Sequence, residues 1–224
     1  MDNIEETRFI PPDLLRMIEI GDAVIHQVRA LRSLGAQNLV RESTAENARG
    51  LLRARYEKAL LRAAKPNRTS LPIRPIAVAA VRHRSGNCQE AAAIAYCLLR
   101  GYVELFDICI STVAPEFDHG FVCIGDPRIL PADRVVVVDA WPYEPQAVTL
   151  ADHFCRAYRL RVARKTTSGK PGNFGAMMEK YELGRYAGIA QRALAIGFPS
   201  NSPAPTFDQR RCSASGNRIL YRAA

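Results

Sequence analysis

A helix that is apolar on nearly every side can sit in only one place, the interior. Residues Gln89 to Arg100 read Gln-Glu-Ala-Ala-Ala-Ile-Ala-Tyr-Cys-Leu-Leu-Arg, and Gly101 closes the run. Such a helix must be buried, and its small side chains let other elements come close. The fold is therefore expected to wrap around it. Ser85-Gly86-Asn87 stands just before it and supplies capping oxygens. Cys88 is thereby placed at the N-terminus of a buried central helix.

The flanking pattern supplies the layers. Pro11-Pro12-Asp13 opens a helix whose apolar residues Leu14, Ile18, Ile25, Val28 and Leu31 recur at helical spacing, with Gly35 as its stop. A second helix is predicted from Ser43, with Glu46 three residues later as a capping box and a stripe of Leu52, Tyr56, Leu60 and Ala63. Lys65 to Pro75 holds three prolines and reads as a connection. After the central helix, strands are expected over Val103 to Thr112, His119 to Ile124 and Arg134 to Ala140. The last holds four successive valines, the mark of a buried strand. Leu150 to Leu160 and Ala176 to Ile196 are predicted helical, and the chain from Pro199 reads as a loose tail or a surface wrap. The expectation is an α+β fold with a helical N-terminal region (1–66), a core (67–198) and a tail (199–224).

Composition narrows the function classes. Apolar residues make up 48% and charged residues 24% of the 224, which suits a globular chain with a real core. No stretch approaches the ~18 consecutive apolar residues of a spanning helix. Met1 to Ile10 is too acidic for a secretory signal peptide, so residence in a reducing compartment such as the cytoplasm is expected. The formal charge is +9, and 26 Arg stand against five Lys. Arg suits phosphate contacts, and Arg156, Arg159, Arg161, Arg164, Lys165 and Lys170 would carry a nucleic-acid-binding reading. A charge this modest and this scattered favours a solvated surface instead, so nucleic acid is not the expected partner. Six cysteines occur with no Cys-x-x-Cys pair, so no metal site and no cofactor are expected.

One cysteine is placed for chemistry. A helix N-terminus favours negative charge and lowers a thiol's pKa, and Cys88 has that position. Cys97, Cys109 and Cys123 fall mid-helix or mid-strand and read as small core hydrophobes, while Cys155 and Cys212 have no assigned role. If the second and third strands pair about a connection centred on Ile129, residues whose numbers sum to 258 face each other. Phe121 then meets Val137, Cys123 meets Val135 and His119 meets Asp139. A carboxylate opposite an imidazole can orient it while its other nitrogen turns to a thiol. His26 falls on the polar side of the first helix, His83 in a solvated loop, and His153 in a later helix with no carboxylate partner. Asn87 and Gln89 are candidates at the oxyanion, although the backbone N–H groups of Cys88 and Gln89 are better donors.

Gly86-Asn87-Cys88 opening a buried helix, then His119-Gly120 on a strand, then Val-Val-Val-Asp139-Ala-Trp141 on the next, resembles the transglutaminase-like branch of the papain-like cysteine enzymes. The resemblance spans Arg82 to Trp141. It implies Cys88 as nucleophile, His119 as general acid and base and Asp139 as orienting carboxylate; Asn87, Gln89 and Trp141 are the residues expected on the oxyanion and substrate side. Bacterial effectors delivered into host cells use this core as proteases or protein-glutamine deamidases. The implied partner is thus a protein substrate of a host cell, reached without a cleaved signal peptide. An Arg-rich nucleic-acid binder and a catalytically silent interaction module are the rival readings.

Overall fold

The computed structural model describes residues 4–63, 73–113, 118–166, 171–182, 187–195, 208–209 and 211–224. It is an α+β arrangement around a small antiparallel sheet. The helices are α1 (Pro12–Leu31), α2 (Ala45–Ala63), α3 (Ile73–Arg82), α4 (Cys88–Leu99), α5 (Phe174–Glu182) and α6 (Ala187–Ala195). The strands are β1 (Glu5–Ile10), β2 (Ile108–Val113), β3 (Gly120–Ile124), β4 (Val136–Val138), β5 (Val148–Thr149), β6 (Leu160–Thr166) and β7 (Arg218–Ala223). The sheet order is β5-β4-β3-β2-β6, and every neighbouring pair is antiparallel.

The expected buried helix is α4. Ala91, Ala92, Ala93, Ile94, Ala95, Tyr96, Cys97 and Leu99 are all buried. α4 packs on β3 and β2, α1 packs on β4 and on α4, and α3 covers another side of α4 with α2 beyond it. Apolar side chains of α1, α4 and the sheet form one continuous core. α1 can lie this close to the sheet because residue 21 is glycine; a Cβ there would stand 2.7 Å from Ala147 Cβ. β3 and β4 are buried on both faces, as a run of valines requires.

Several sequence expectations give way to longer-range forces. The N-cap of α2 is Thr44 rather than Ser43, with its Oγ1 accepting the Asn47 N–H at 3.0 Å. The helix also buries Ala48, Leu51, Ala54 and Leu61 instead of the expected stripe. α3 was hidden by its prolines: Pro75 sits in its first turn, where a missing N–H costs nothing. The rest of that expected connection, up to Pro72, lies outside the described residues. β2 starts only at Ile108, because Leu105 and Phe106 fold back to the Tyr102 carbonyl at 2.9 and 3.3 Å.

Leu150 to Leu160 is not helical. Its backbone bonds go elsewhere in the chain: Ala151 N–H to Ala132 O (3.0 Å) and Phe154 N–H to Cys212 O (2.9 Å). Within the helix expected over Ala176 to Ile196, the described residues belong to α5 and α6, and residues 183–186 and 196 lie outside the described residues. The C-terminal segment ends in β7, which pairs in parallel with β1 near the other terminus.

The Arg-rich segment acquires a structural role. Arg161, Arg164 and Lys165 belong to β6, an edge strand of the sheet, and charge on an edge discourages further pairing. Lys165 also forms ion pairs with Asp107 at 2.8 Å and Asp126 at 2.9 Å. Lys170 lies outside the described residues.

Candidate active site

The segment entering α4 is held from both sides. Arg84 takes a left-handed backbone (φ +52°) unusual for a residue with a side chain. Ser85 is buried and its hydroxyl donates to Asn47 O at 2.9 Å. At position 86 a Cβ would collide with Glu90 Cβ, so glycine is required there. The fully buried Arg32 donates from one guanidinium nitrogen to Gly86 O and from the other to Ala140 O, at 2.8 Å for the latter. One side chain thus ties the start of α4 to the end of β4. Asn87 N–H donates to Glu90 Oε2 at 3.0 Å, fixing the first turn, and Lys58 lies 3.6 Å from the other Glu90 oxygen.

Cys88 is the first residue of α4 and is half-buried, whereas Cys97, Cys109, Cys123, Cys155 and Cys212 are buried. All six thiols are free. Burial pushes Cys97 and Cys123 up to about 12 and Cys109 up to about 11. Burial likewise raises Cys155 and Cys212, so these five remain thiols at neutral pH. Cys88 lies within hydrogen-bonding reach of His119. Its Sγ is also 3.8 Å from Asp118 O.

His119 immediately precedes β3, and Asp139 immediately follows β4. Their register differs from the expected one. Val122 pairs with Val138, Cys123 with Val137 and Ile124 with Val136, so the numbers sum to 260 rather than 258. A shift of two keeps every side chain on its expected face. Continued past the strand ends, it sets His119 opposite Trp141 and diagonal to Asp139. The contacts agree: the His119 and Trp141 rings are 4.7 Å apart, and His119 Nε2 reaches Asp139 Oδ2 at 2.7 Å. Phe121 and Phe154 complete an aromatic wall around the imidazole, at 5.8 and 5.4 Å.

The pair is buried, with His119 2% and Asp139 2% exposed. Burial alone pushes the His119 imidazolium down. The charge of Asp139 and its hydrogen bond outweigh this and, with Cys88 beside the ring, lift it to about 10. Burial would raise Asp139, but the His119 charge and the N–H donors around it hold its carboxyl well below the usual carboxylate range. The other carboxylate oxygen, Oδ1, accepts the Trp141 N–H at 3.1 Å. The arrangement sets a charged imidazole beside a half-buried thiol at the N-terminal end of α4, where the helix carries partial positive charge.

Trp141 and Asn87 are linked through a residue the sequence reading missed. Trp141 Nε1–H donates to Asn38 Oδ1 at 3.0 Å, and Asn38 N–H donates to Asn87 Oδ1 at 3.3 Å. Gln89 turns toward α2, where its Oε1 accepts from Lys58 Nζ at 3.3 Å; its backbone stays packed against the start of β3. His83 is not a loop residue in solvent: it is buried, with Nε2 3.0 Å from Glu57 Oε2. His26 is exposed on α1. His153 does have a carboxylate partner, since its Nε2 lies 3.4 Å from Asp139 Oδ2. Arg32, Asn38 and His153 all act across large sequence separations, and nothing in their local sequence marks them.

Asp139, His153 and Cys212 offer atoms within 4.8 Å of one another, a grouping from which metal sites are made. Their bonding argues otherwise. Cys212 Sγ–H donates to Asp139 O at 3.3 Å, and the Asp139 carboxylate is committed to His119 and Trp141. A metal would need that thiol ionised and that carboxylate released. Clefts of about 400 and 380 Å³ occur elsewhere on the surface, and neither is lined by Cys88, His119 or Asp139. No helix among the described residues is long and apolar enough to cross a membrane. No family model matches this chain, and no curated protein or solved structure matches it.

Proposed function

We propose that this chain is a cysteine-dependent hydrolase or acyl transferase on a papain-like, transglutaminase-like core, acting on amide groups of a protein substrate. The observation that carries the reading is the order Cys88, His119, Asp139: a half-exposed thiol at a helix N-terminus, an imidazole in reach of it, and a carboxylate 2.7 Å from that imidazole. The Cys88 thiolate attacks the amide carbonyl carbon. The oxyanion takes hydrogen bonds from backbone N–H groups in the first turn of α4, which lack partners within the helix. His119 gives its proton to the departing nitrogen, the C–N bond breaks and a thioester remains. Neutral His119 then takes a proton from water, which cleaves the thioester and restores the thiolate–imidazolium pair. Asp139 keeps the imidazole oriented throughout and stabilises its charged form at the start and end of the cycle. With a glutamine side chain the product is glutamate and ammonia; with a peptide bond it is a cleaved chain; with a lysine amine in place of water it is a cross-link.

The effector class that the residues resemble makes a host-cell protein the substrate, with the chain working in a reducing compartment. Iodoacetamide should modify Cys88 at neutral pH faster than it modifies glutathione, and Cys88→Ala should remove that labelling while leaving thermal unfolding nearly unchanged. Intact-mass analysis of candidate host proteins then identifies the acceptor: a gain of about one dalton marks deamidation and fragments mark proteolysis. Labelling of Cys88 no faster than of glutathione would end the catalytic reading.

A further inference from the structure

His153 is wholly buried, and a buried imidazole needs a use for both nitrogens. One is accounted for: the Cys155 N–H donates to Nδ1 at 3.2 Å. Nδ1 must therefore carry a lone pair, and the proton of the neutral ring sits on Nε2. Nε2 makes no hydrogen bond among the described residues, and a nearby acceptor that it can reach by a small closure is Asp139 Oδ2, 3.4 Å away. That is the same oxygen that takes the His119 N–H at 2.7 Å, while Oδ1 takes the Trp141 N–H at 3.1 Å. The ring is held in place by Phe121 and Phe154, with centroids at 4.9 and 4.3 Å. Its backbone is bridged to Ser213, beside Cys212.

We propose that His153 is a positioning residue of the candidate site: a neutral imidazole that donates from Nε2 to Asp139, steadies the carboxylate and so keeps His119 aligned and charged beside Cys88. The inference rests on the thiol-enzyme reading for its consequence but not for its geometry. Charged and titratable groups around the pair bear on the assignment. His119 and the Cys88 thiol lie on one side, Cys155 and Cys212 are buried neutral thiols, and the guanidinium of Arg32, the residue that caps α1, acts on Asp139. Burial penalises its charge, and a second imidazolium next to His119 would be repelled, so His153 is held below its ordinary value against the pull of Asp139.

The direct test needs no variant. Nitrogen-15 NMR of the wild-type histidines should show His153 as the neutral Nε2–H tautomer from pH 5 to 8, with His119 protonated on both nitrogens. A His153 found as the Nδ1–H tautomer, or charged across that range, overturns the proposal. His153→Phe keeps the ring stack and deletes the donor; His153→Gln keeps a donor. In His153→Phe the proton affinity of His119 should fall about tenfold and alkylation of Cys88 at pH 7 should slow by a similar factor, since a donor to a buried charge is lost. His153→Gln should recover to within about threefold of wild type. A folded His153→Phe with His119 titration unmoved also overturns it. If wild-type Cys88 shows no enhanced alkylation, the thiol-enzyme reading fails alone, and the tautomer and the His119 titration still decide the role of His153.

Discussion

Asp139→Asn tests the centre of the site. The substitution keeps the shape of a buried side chain and removes its charge. Asp139 now receives N–H groups from His119 and Trp141, with His153 close by. An amide presents one oxygen and one NH2 to those donors, so either the Trp141 bond or the His119 bond must be given up, and a donor meets a donor. The energetic scale follows from His119, lifted from 6.5 to about 10 against the opposing effect of burial. At ~1.4 kcal/mol per tenfold change in proton affinity, that lift corresponds to ~5 kcal/mol, and breaking a buried pair typically costs ~3–5 kcal/mol. The sign and window are fixed by the two directions. The His119 contribution is fully present below 6.5 and is lost as pH rises through about 10. The Asp139 contribution is present above its ordinary 3.8 and is lost as pH falls through its depressed folded value. Urea unfolding of wild type and Asp139→Asn should therefore differ by ~3–5 kcal/mol at pH 7, converge as pH is raised beyond 10, and converge again in strong acid. Alkylation of Cys88 at pH 7 should fall at least ~30-fold, because an uncharged imidazole no longer stabilises the thiolate. A stability difference that stays constant from pH 5 to pH 11 would refute the charge-pair argument, and an unchanged alkylation rate would refute its link to Cys88.

Two further perturbations test how the site is held. Arg32→Met fills similar volume but strands the carbonyls of Gly86 and Ala140, so chemical unfolding should show a loss of ~2–5 kcal/mol, and Cys88 alkylation should slow even in the folded fraction. Deleting residues 210–224 removes β7 from β1 and the Cys212 carbonyl from Phe154 N–H. Calorimetry should show a melting point lower by ~8 °C or more, and the His153 tautomer should lose its definition; a truncated chain with an unchanged Tm would contradict the bracing role given to the C-terminal segment.

The parts of this fold that could be read from the sequence are those decided locally. The all-apolar stretch after Cys88 had to be buried, and the valines of β4 had to sit inside a sheet. The parity of the strands was legible too, because a period of two sorts side chains onto faces whatever the register. The register was not: it depends on how the long connection from Gly125 to Asp133 folds, with Leu130 N–H bonding to Asp126 O at 3.0 Å. α3 escaped because proline reads as a breaker unless the helix start is known. The segment around His153 looked helical because its composition suits a helix, but the Phe154 amide bonds to Cys212 O, over fifty residues away, and the Ala151 amide to Ala132 O. β1 and β7 pair across nearly the whole chain, which no local pattern encodes.

Two buried histidine–carboxylate systems occur among the described residues, and the contrast between them says what makes one a candidate for chemistry. His83 pairs with Glu57 at 3.0 Å, is 5% exposed, and lies only five residues before Cys88. His119 pairs with Asp139 at 2.7 Å, is 2% exposed, and lies 31 residues after Cys88. Sequence proximity would favour the first. Yet Glu57 is shared with Arg82, which already balances its charge, and Lys58 beside it in sequence reaches instead to Glu90. His83 therefore closes the joint between α2 and α3 and leaves no carboxylate charge for an ionised thiol's partner. Asp139 has no direct ion pair to Arg or Lys among the described residues, and its carboxylate faces histidines, His119 at 2.7 Å and His153 at 3.4 Å. Burial and pairing are common to both systems. What separates them is a carboxylate with no Arg or Lys ion pair among the described residues on one side of the imidazole and a half-exposed thiol at a helix N-terminus on the other.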